Sequence, residues 1–378
     1  MAYDGLVTWA MVQELHHTIL LGKIEKIYQP EADELVFHIH GKQGNYKLLA
    51  STASAHARVH FIEENPVNPP APHAFCMLLR KHLQGGRITS IEQKDSERII
   101  ELSVETLDEL GFHVSKKLIF EIMGKHSNII LTDIASGKIL DSIKRVSIDI
   151  NRVRQILPGI LYQYPPKQDK IPVRGIQPEQ LEAMEKNGKN FLRNIAGISP
   201  AFADELAGQE EPFSFLQDVR ERIASSRISP RVYLDEKGNP QEFYLLPLTE
   251  WEDVCQVKTF PTLSGCLEFY FNRKASSNRG RQKAHDLIKA VTGALDKMYL
   301  KKQRLAEDIL KAENSEDLRL FGELLTANLH LVKPGMKSVE VTNYYDGSTI
   351  SIPLNVKLTP AKNAQHYFKQ YGLYLIHL

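Results

Sequence analysis

Between residues 6 and 21 the apolar side chains Val7, Ala10, Met11, Leu15, Ile19 and Leu20 recur at helical spacing. The run stops at Gly22, a residue suited to the left-handed conformation that closes helices, so the pattern predicts a core-packing helix. Beyond it the period changes to two. ELVFHIH and NYKLLAST flank the Gly41–Gly44 connection as a hairpin, and ARVHFIE supplies a third strand. Four prolines between Asn65 and Pro72 deny that stretch regular hydrogen-bonded structure. A helix HAFCMLLRKHLQ follows and ends at Gly85-Gly86. RITSIEQ, ERIIELSVE, HVSKKLIFEIM, SNIILTD and KILDSIKRV then alternate with turn residues, the pattern of an antiparallel meander.

Tyr162 to Pro166 marks a boundary, and residues 177 to 224 turn to short helices rich in Leu, Ala and Glu. Within them, Asn194 to Ala203 has the shape of a helix-hairpin-helix motif, in which Gly197 makes the turn and Ser199 precedes the second helix. Backbone N–H groups exposed by such a turn can meet a phosphate. A plain helical hairpin that needs Gly for a sharp turn fits the same residues equally well. PRVYLDEKGNPQEFYLLPL returns to strand character as a further hairpin. From about residue 280 onward, Ile288, Val291, Leu295, Met298, Leu305, Ile309 and Ala312 follow alternating spacings of three and four, which predicts one arm of a coiled coil. GELLTANLHLVKPG reads as a short helix and VEVTNYYDGSTISIPL as another hairpin. No return arm is evident, and the apolar, uncapped ending YGLYLIHL reads as a truncation. The succession predicts an α+β fold: an antiparallel β-sandwich or half-barrel carrying a few helices, with a helical insert and a coiled-coil arm.

At 378 residues, two or three folding units are expected. An apolar content of 42% and a charged content of 25% are those of a globular protein, which argues against disordered, collagenous or membrane-spanning classes. The N-terminus carries Asp4 and no basic leader, and no apolar run approaches the roughly 20 residues of a bilayer span. Cys76, Cys255 and Cys266 are too scattered for a zinc site or a secreted disulfide framework, so a reducing cytoplasm is expected. The net charge of +1 averages over acidic and basic segments, and charge has to be read locally.

Phosphate-binding loops, dinucleotide fingerprints, metalloprotease helices and nucleophile elbows are all missing from the sequence, so no common enzyme class is supported and no cofactor is expected. His38 and His40 share a strand face but lack a third ligand; no metal site is expected, and solvent-facing histidines are the better reading. Cations cluster at Arg80-Lys81-His82, Lys116-Lys117, Lys125-His126, Lys144-Arg145 and Arg152/Arg154, where they are candidates to converge on phosphate. A denser basic patch lies at the base of the coiled coil, at Arg273, Lys274, Arg279, Arg281 and Lys283. In EIMGKHSN a strand of apolar residues ends at Gly124 and is followed at once by Lys125, His126, Ser127 and Asn128, donors suited to phosphate, ribose or base edges. A hairpin turn with incidental polarity is the alternative.

Tyr3-Asp4-Gly5, the run from Phe75 to His82, EIMGKHSNII at 121 to 130 and GELLTAN at 322 to 328 resemble the NFACT family, in its bacterial RqcH-like branch, over essentially all 378 residues. The resemblance implies an NFACT-N domain over 1–172, a helix-hairpin-helix domain over 173–228 and an NFACT-N return segment over 229–272. A coiled-coil arm with its following helix over 273–335 and the start of a middle domain over 336–378 complete the expectation. It implies a cytoplasmic ribosome-associated quality-control factor that is not itself an enzyme. Such a factor binds the large ribosomal subunit with stalled peptidyl-tRNA and recruits alanine tRNA for C-terminal alanine tailing. The family's tailing residues match at Glu121, Ile122 and Met123, and its Asp-Arg pair at Glu97-Arg98, where the acid is one methylene longer. Two alternatives accompany the resemblance. The related architecture of formamidopyrimidine-DNA glycosylases is opposed by Ala2 in place of a catalytic proline and by the missing four-cysteine zinc finger. A fibronectin- or fibrinogen-binding surface adhesin is the runner-up, on relatives' names alone.

Overall fold

The structure, a computed structural model, describes residues 3–313 and 315–375, without the side chains of 276–286, 308, 310–313, 374 and 375. It divides into two compact units, residues 1–279 and 280–378.

The first unit opens with α1 (Gly5–Ile19), the helix its spacing predicts. Asp4 caps it by accepting from the Val7 N–H at 2.9 Å. The residue that turns left-handed at its end is Leu21, with φ of 66°, and not Gly22. Glycine is needed at 22 for closeness instead: a Cβ there would stand 2.8 Å from the Ile19 carbonyl and 2.9 Å from that of His40.

Nine antiparallel strands follow: β1 (Lys23–Glu31), β2 (Glu34–His40), β3 (Asn45–Ser51), β4 (Arg58–Phe61), β5 (Arg87–Gln93), β6 (Ile99–Leu107), β7 (His113–Glu121), β8 (Asn128–Asp133) and β9 (Ile139–Ser142). They form one sheet in the order β4-β3-β2-β1-β5-β6-β7-β8-β9. Helix α2 (Ala74–Leu83) precedes β5. β1 and β5 share a single ladder pairing, Lys23 with Arg87, flanked by backbone hydrogen bonds from the Ile24 N–H to the Gly86 carbonyl and from the Ile88 N–H to the Gly22 carbonyl, and the sheet curls. Phe37 of β2 and Phe120 of β7 thereby come within 6.2 Å across the fold, although three strands separate them in the sheet. The expected half-barrel is this curled sheet. β1 itself was not foreseen, because Pro30 and its charged residues hide the strand. Pro30 sits where the register with β2 shifts between Tyr28 and Glu31, a place a ladder tolerates a missing N–H.

The ends of β7 and β8 are buried on both faces, which is why they read as continuous apolar runs. Leu118, Phe120, Ile129 and Leu131 enter the main core. Ile99, Ile119, Ile130 and Ile139 build a smaller core on the opposite face, closed by Met123, Val146, Ile156, Ile160 and Tyr162. Residues 143–162 run as a strap over that face. It is tied by the Val146–Ile156 and Lys138–Leu161 bridges and by the Tyr162 N–H to the Gly137 carbonyl at 2.9 Å.

The helical insert contains β10 (Ile171–Pro172), α3 (Pro178–Glu182), α4 (Gly188–Asn194), β11 (Ile195–Ala196), α5 (Pro200–Gly208) and α6 (Pro212–Ala224). Phe191, Phe202, Leu206, Leu216, Val219 and Ile223 join the same core as α1, so the insert has no separate hydrophobic centre. A second sheet, β12 (Arg231–Leu234), β13 (Pro240–Tyr244) and β14 (Gln256–Thr259), follows with the short α7 (Thr249–Glu252) between its last two strands.

Helix α8 spans Leu263–Glu313 and begins well before residue 280. Its first turns are apolar, and Leu263, Cys266, Leu267, Tyr270 and Phe271 are buried in the main core, so they lack the amphipathic stripe that marks the rest. Ile288, Val291, Leu295, Met298, Leu305 and Ile309 are each more than half exposed. The second unit adds α9 (Ser315–Ala327), the hairpin of β15 (Ser338–Thr342) and β16 (Thr349–Pro353), and α10 (Pro360–Leu375), around Leu324, Leu325, Val341 and Ile352. Among the described residues no helix is long and apolar enough to cross a membrane.

Candidate nucleic-acid interface

Three chain segments meet at the start of α1. Glycine at positions 5 and 197 lets backbones touch: a Cβ on Gly5 would lie 2.2 Å from the Ser96 carbonyl oxygen and 2.6 Å from the Gly197 Cα. Gly197 adopts φ of +90°, and a Cβ on it would lie 2.7 Å from the same Ser96 oxygen. Asp4 ties the junction. Beyond capping α1, its Oδ2 accepts from the Ser199 N–H and from the Tyr244 hydroxyl, both at 2.9 Å. Burial pushes its carboxyl above the usual range, against the pull of those donors. Ser199 in turn caps α5 through the Phe202 N–H.

A cleft of about 220 Å³ opens beside this junction. Its lining comes from Glu97 and Arg98, in the turn before β6, from Gly197, Ser199 and Pro200, and from Gln168 and Lys170. β10 and β11 pair in parallel, Ile171 with Ile195, and join the segment carrying Gln168 and Lys170 to the one carrying Gly197 and Ser199. Residues about a hundred positions apart, Glu97-Arg98 and Gly197-Ser199, are therefore neighbours. The expected third set adjoins them, because the Ile122 N–H donates to the Arg98 carbonyl at 2.8 Å and Ile99 pairs with Glu121 in the ladder.

Glu121, Ile122 and Met123 alternate faces, and their side chains do different work. Glu121, 1% exposed, takes a bidentate ion pair from Arg154 at 2.9 and 2.5 Å and a hydrogen bond from the Tyr162 hydroxyl at 2.8 Å. Burial disfavours the charge on Arg154, yet the Glu121 carboxylate raises its pKa above the usual value. Burial, then the Glu121 charge, pushes the Tyr162 phenol far up. Removing one partner of so buried a pair would strand the other charge, at a cost of about 3–5 kcal/mol. Ile122 lies in the main core and Met123 in the smaller one.

The dispersed cations do not converge as expected. Lys116 pairs with Asp133 at 2.6 Å, Lys117 with Glu101 at 2.7 Å, Lys81 with Glu109 at 2.8 Å, and Arg145 with Asp141. Lys144 donates to the Thr52 carbonyl, and Arg80 to that of Ile27 at 2.8 Å while lying 5.6 Å from the Tyr28 ring. Asn128, expected as a nucleic-acid contact, is turned inward. Its Oδ1 accepts from the Ile129 and Lys144 N–H groups and its Nδ2 donates to the Lys144 carbonyl, which anchors β8 to the strap. Lys125 and His126 are exposed on a single 3-10 turn opened by Gly124 at φ of +59°. His38 and His40 bond Asn65 and Asn45, and among the described residues no cluster of three metal-ligating side chains exists. The side chains of Arg279, Arg281 and Lys283 lie outside the described residues.

Asp4, Arg154, Tyr162 and Lys170 were not singled out for these roles. For Asp4 a signal existed, a capping residue directly before the first helical turn; the others announce themselves only in three dimensions.

The family model for NFACT N-terminal and middle domains matches residues 4–372. The chain belongs to the NFACT family. Among NFACT relatives, the Rqc2 homolog RqcH of Bacillus subtilis is 38% identical over 98% of this chain and 67% of its own length. RqcH of Streptococcus suis is 37% identical over 98% of the chain and 66% of its own length, so the chain spans about two thirds of these relatives. In structure it resembles the N-terminal part of the fibronectin/fibrinogen-binding protein of Streptococcus suis, with a TM-score of 0.63 and 35% identity over 71% of this chain and 98% of that one. The fibrinogen-binding protein of Staphylococcus aureus follows with a TM-score of 0.61 and 30% identity over 71% of this chain and 99% of that one. Both carry the same α+β NFACT-N architecture.

Proposed function

We propose that this chain is the tRNA-engaging part of a ribosome-associated quality-control factor. In this reading it binds the large ribosomal subunit carrying stalled peptidyl-tRNA and recruits alanine tRNA for template-free alanine tailing. The ribosome makes the peptide bond, so the chain acts as a scaffold and not as an enzyme. Identity with the RqcH proteins over 98% of the chain supports the class. The observation that carries the site is the cleft that Glu97 and Arg98 line together with Gly197, Ser199 and Pro200. A cleft lined by an arginine, a glutamate and a glycine turn at a helix start suits a nucleic-acid phosphate or base edge. Lys125 and His126 are exposed on the same unit. The α8 stripe takes the coiled-coil role.

Sequencing the RNA that co-purifies with the protein tests this reading. Enrichment of alanine tRNA, lost in Arg98→Ala, is the expected result; RNA without tRNA enrichment overturns it. The names of the solved relatives favour one rival, a fibronectin- or fibrinogen-binding surface role. Saturable fibronectin binding that survives Arg98→Ala, with no sedimentation on large subunits, would select that rival.

A further inference from the structure

Glu121 belongs to a motif expected to engage tRNA, yet its carboxylate is shut away from solvent and fully engaged by Arg154 and Tyr162. Both partners lie on the strap that crosses the smaller core. Arg154 also donates to the Gln163 carbonyl at 2.5 Å and sits 5.1 Å from the Tyr162 ring, so one guanidinium joins strand, strap and the residue that leads out of the strap. A second carboxylate on the same sheet face repeats the device: Glu101 accepts from the Tyr164 hydroxyl and from Lys117. Lys94, from the β5–β6 turn that also carries Glu97 and Arg98, stands 5.1 Å over the Tyr164 ring. Four residues beyond Tyr164, the chain reaches Gln168 and then Lys170 in the lining of the cleft.

We infer that Glu121 is a positioning residue: through Arg154 and Tyr162 it holds the strap so that Gln168 and Lys170 line the cleft together with Glu97 and Arg98. Met123 serves the same end by packing under the strap, beside Val146, Ile160 and Tyr162. The two motif sets thus form one site linked through the strap, and the Glu121 side chain touches no RNA. This inference rests on the cleft being the tRNA-engaging site.

The test measures tRNA affinity of the full chain by fluorescence anisotropy, amide hydrogen exchange over residues 162–170, and the thermal midpoint. Glu121→Gln and Arg154→Met are each expected to weaken tRNA binding roughly tenfold, and the double variant no further, since both cut one link. Tyr162→Phe removes a single hydroxyl while Arg154 still engages Glu121; it should lower the thermal midpoint less than Glu121→Gln does, speed exchange at 163–170 and weaken binding about threefold. If the charged variants do not fold, Tyr162→Phe alone decides the matter by these two readouts. Wild-type affinity and exchange in Arg154→Met and Tyr162→Phe, with a loss confined to Glu121→Gln, would mean that Glu121 meets the RNA itself, and the inference falls. Arg98→Ala separates the two readings. If it binds tRNA normally the cleft assignment fails, whereas wild-type binding in the Glu121, Arg154 and Tyr162 variants alongside weakened Arg98→Ala binding overturns only the positioning role.

Discussion

At the residue scale, buried ionisable groups on this protein have their states set by what they touch. His60 is 1% exposed and accepts from Arg58 Nε at 3.2 Å through Nε2, so its proton resides on Nδ1, which donates to the Phe61 carbonyl at 2.7 Å. Burial, and next the Arg58 charge, push its pKa down to about 3. The folded protein therefore binds fewer protons at this site than the unfolded chain between pH 6.5 and 3. The contribution is complete above about pH 6.5 and is lost as pH falls through that window, with a limiting slope of about 1.4 kcal/mol per pH unit. Urea midpoints at pH 7 and pH 5.5 should show a smaller acid loss for His60→Gln than for the wild type; equal losses would refute the assignment. Comparing the two proteins cancels Asp4 and Glu14, whose pKa values burial moves the other way.

At the element scale, α8 is held at its root by α1. The Glu14 carboxylate accepts from the Leu263 and Ser264 N–H groups, at 2.9 and 3.3 Å, and so caps α8 from about 250 residues away in the chain. Side-chain caps of this kind are worth about 0.5–2 kcal/mol. Glu14→Ala should therefore lower the unfolding free energy by roughly that amount, and Glu14→Gln, which retains an acceptor, by less. Denaturant titration distinguishes the two, and faster exchange at Leu263 and Ser264 should accompany the alanine variant. The same scale explains what could be read in advance. Helix α2 and the hairpin at 338–353 follow their periods, and the strands around EIMGKHSN show as apolar runs bounded by turn residues. The start of α8 at Leu263 and strand β1 did not show, because a helix start so rich in apolar residues has no clear stripe and a proline-bearing strand has no clean alternation.

At the scale of the whole molecule, a net charge of +1 argues against a general polycationic surface, and on the proposed reading RNA binding rests on a few local contacts. Five cations that look available along the chain, Lys117, Lys81, Arg154, Lys116 and Arg145, are held by Glu101, Glu109, Glu121, Asp133 and Asp141 respectively. The affinity for tRNA should consequently fall with salt along a shallow slope, and Arg98→Ala should reduce that slope by about one unit, as expected for one phosphate contact. An unchanged slope with weakened binding would assign Arg98 to a base edge.

The chain by itself determined most of the succession of strands and helices, β1 and the start of α8 excepted, the Gly197 turn and the motif that marks the family, since these depend on local period and on strings of adjacent residues. Only the tertiary structure decided that Glu97-Arg98 and Gly197-Ser199 share a cleft, that Asp4 ties it together, and that Asn128, Arg80 and Arg154 are engaged internally. The reason is physical: a charge is free or neutralised according to partners 16 to 33 residues away across strands and straps, as for Lys117 with Glu101 and Arg154 with Glu121, and no local pattern records that pairing.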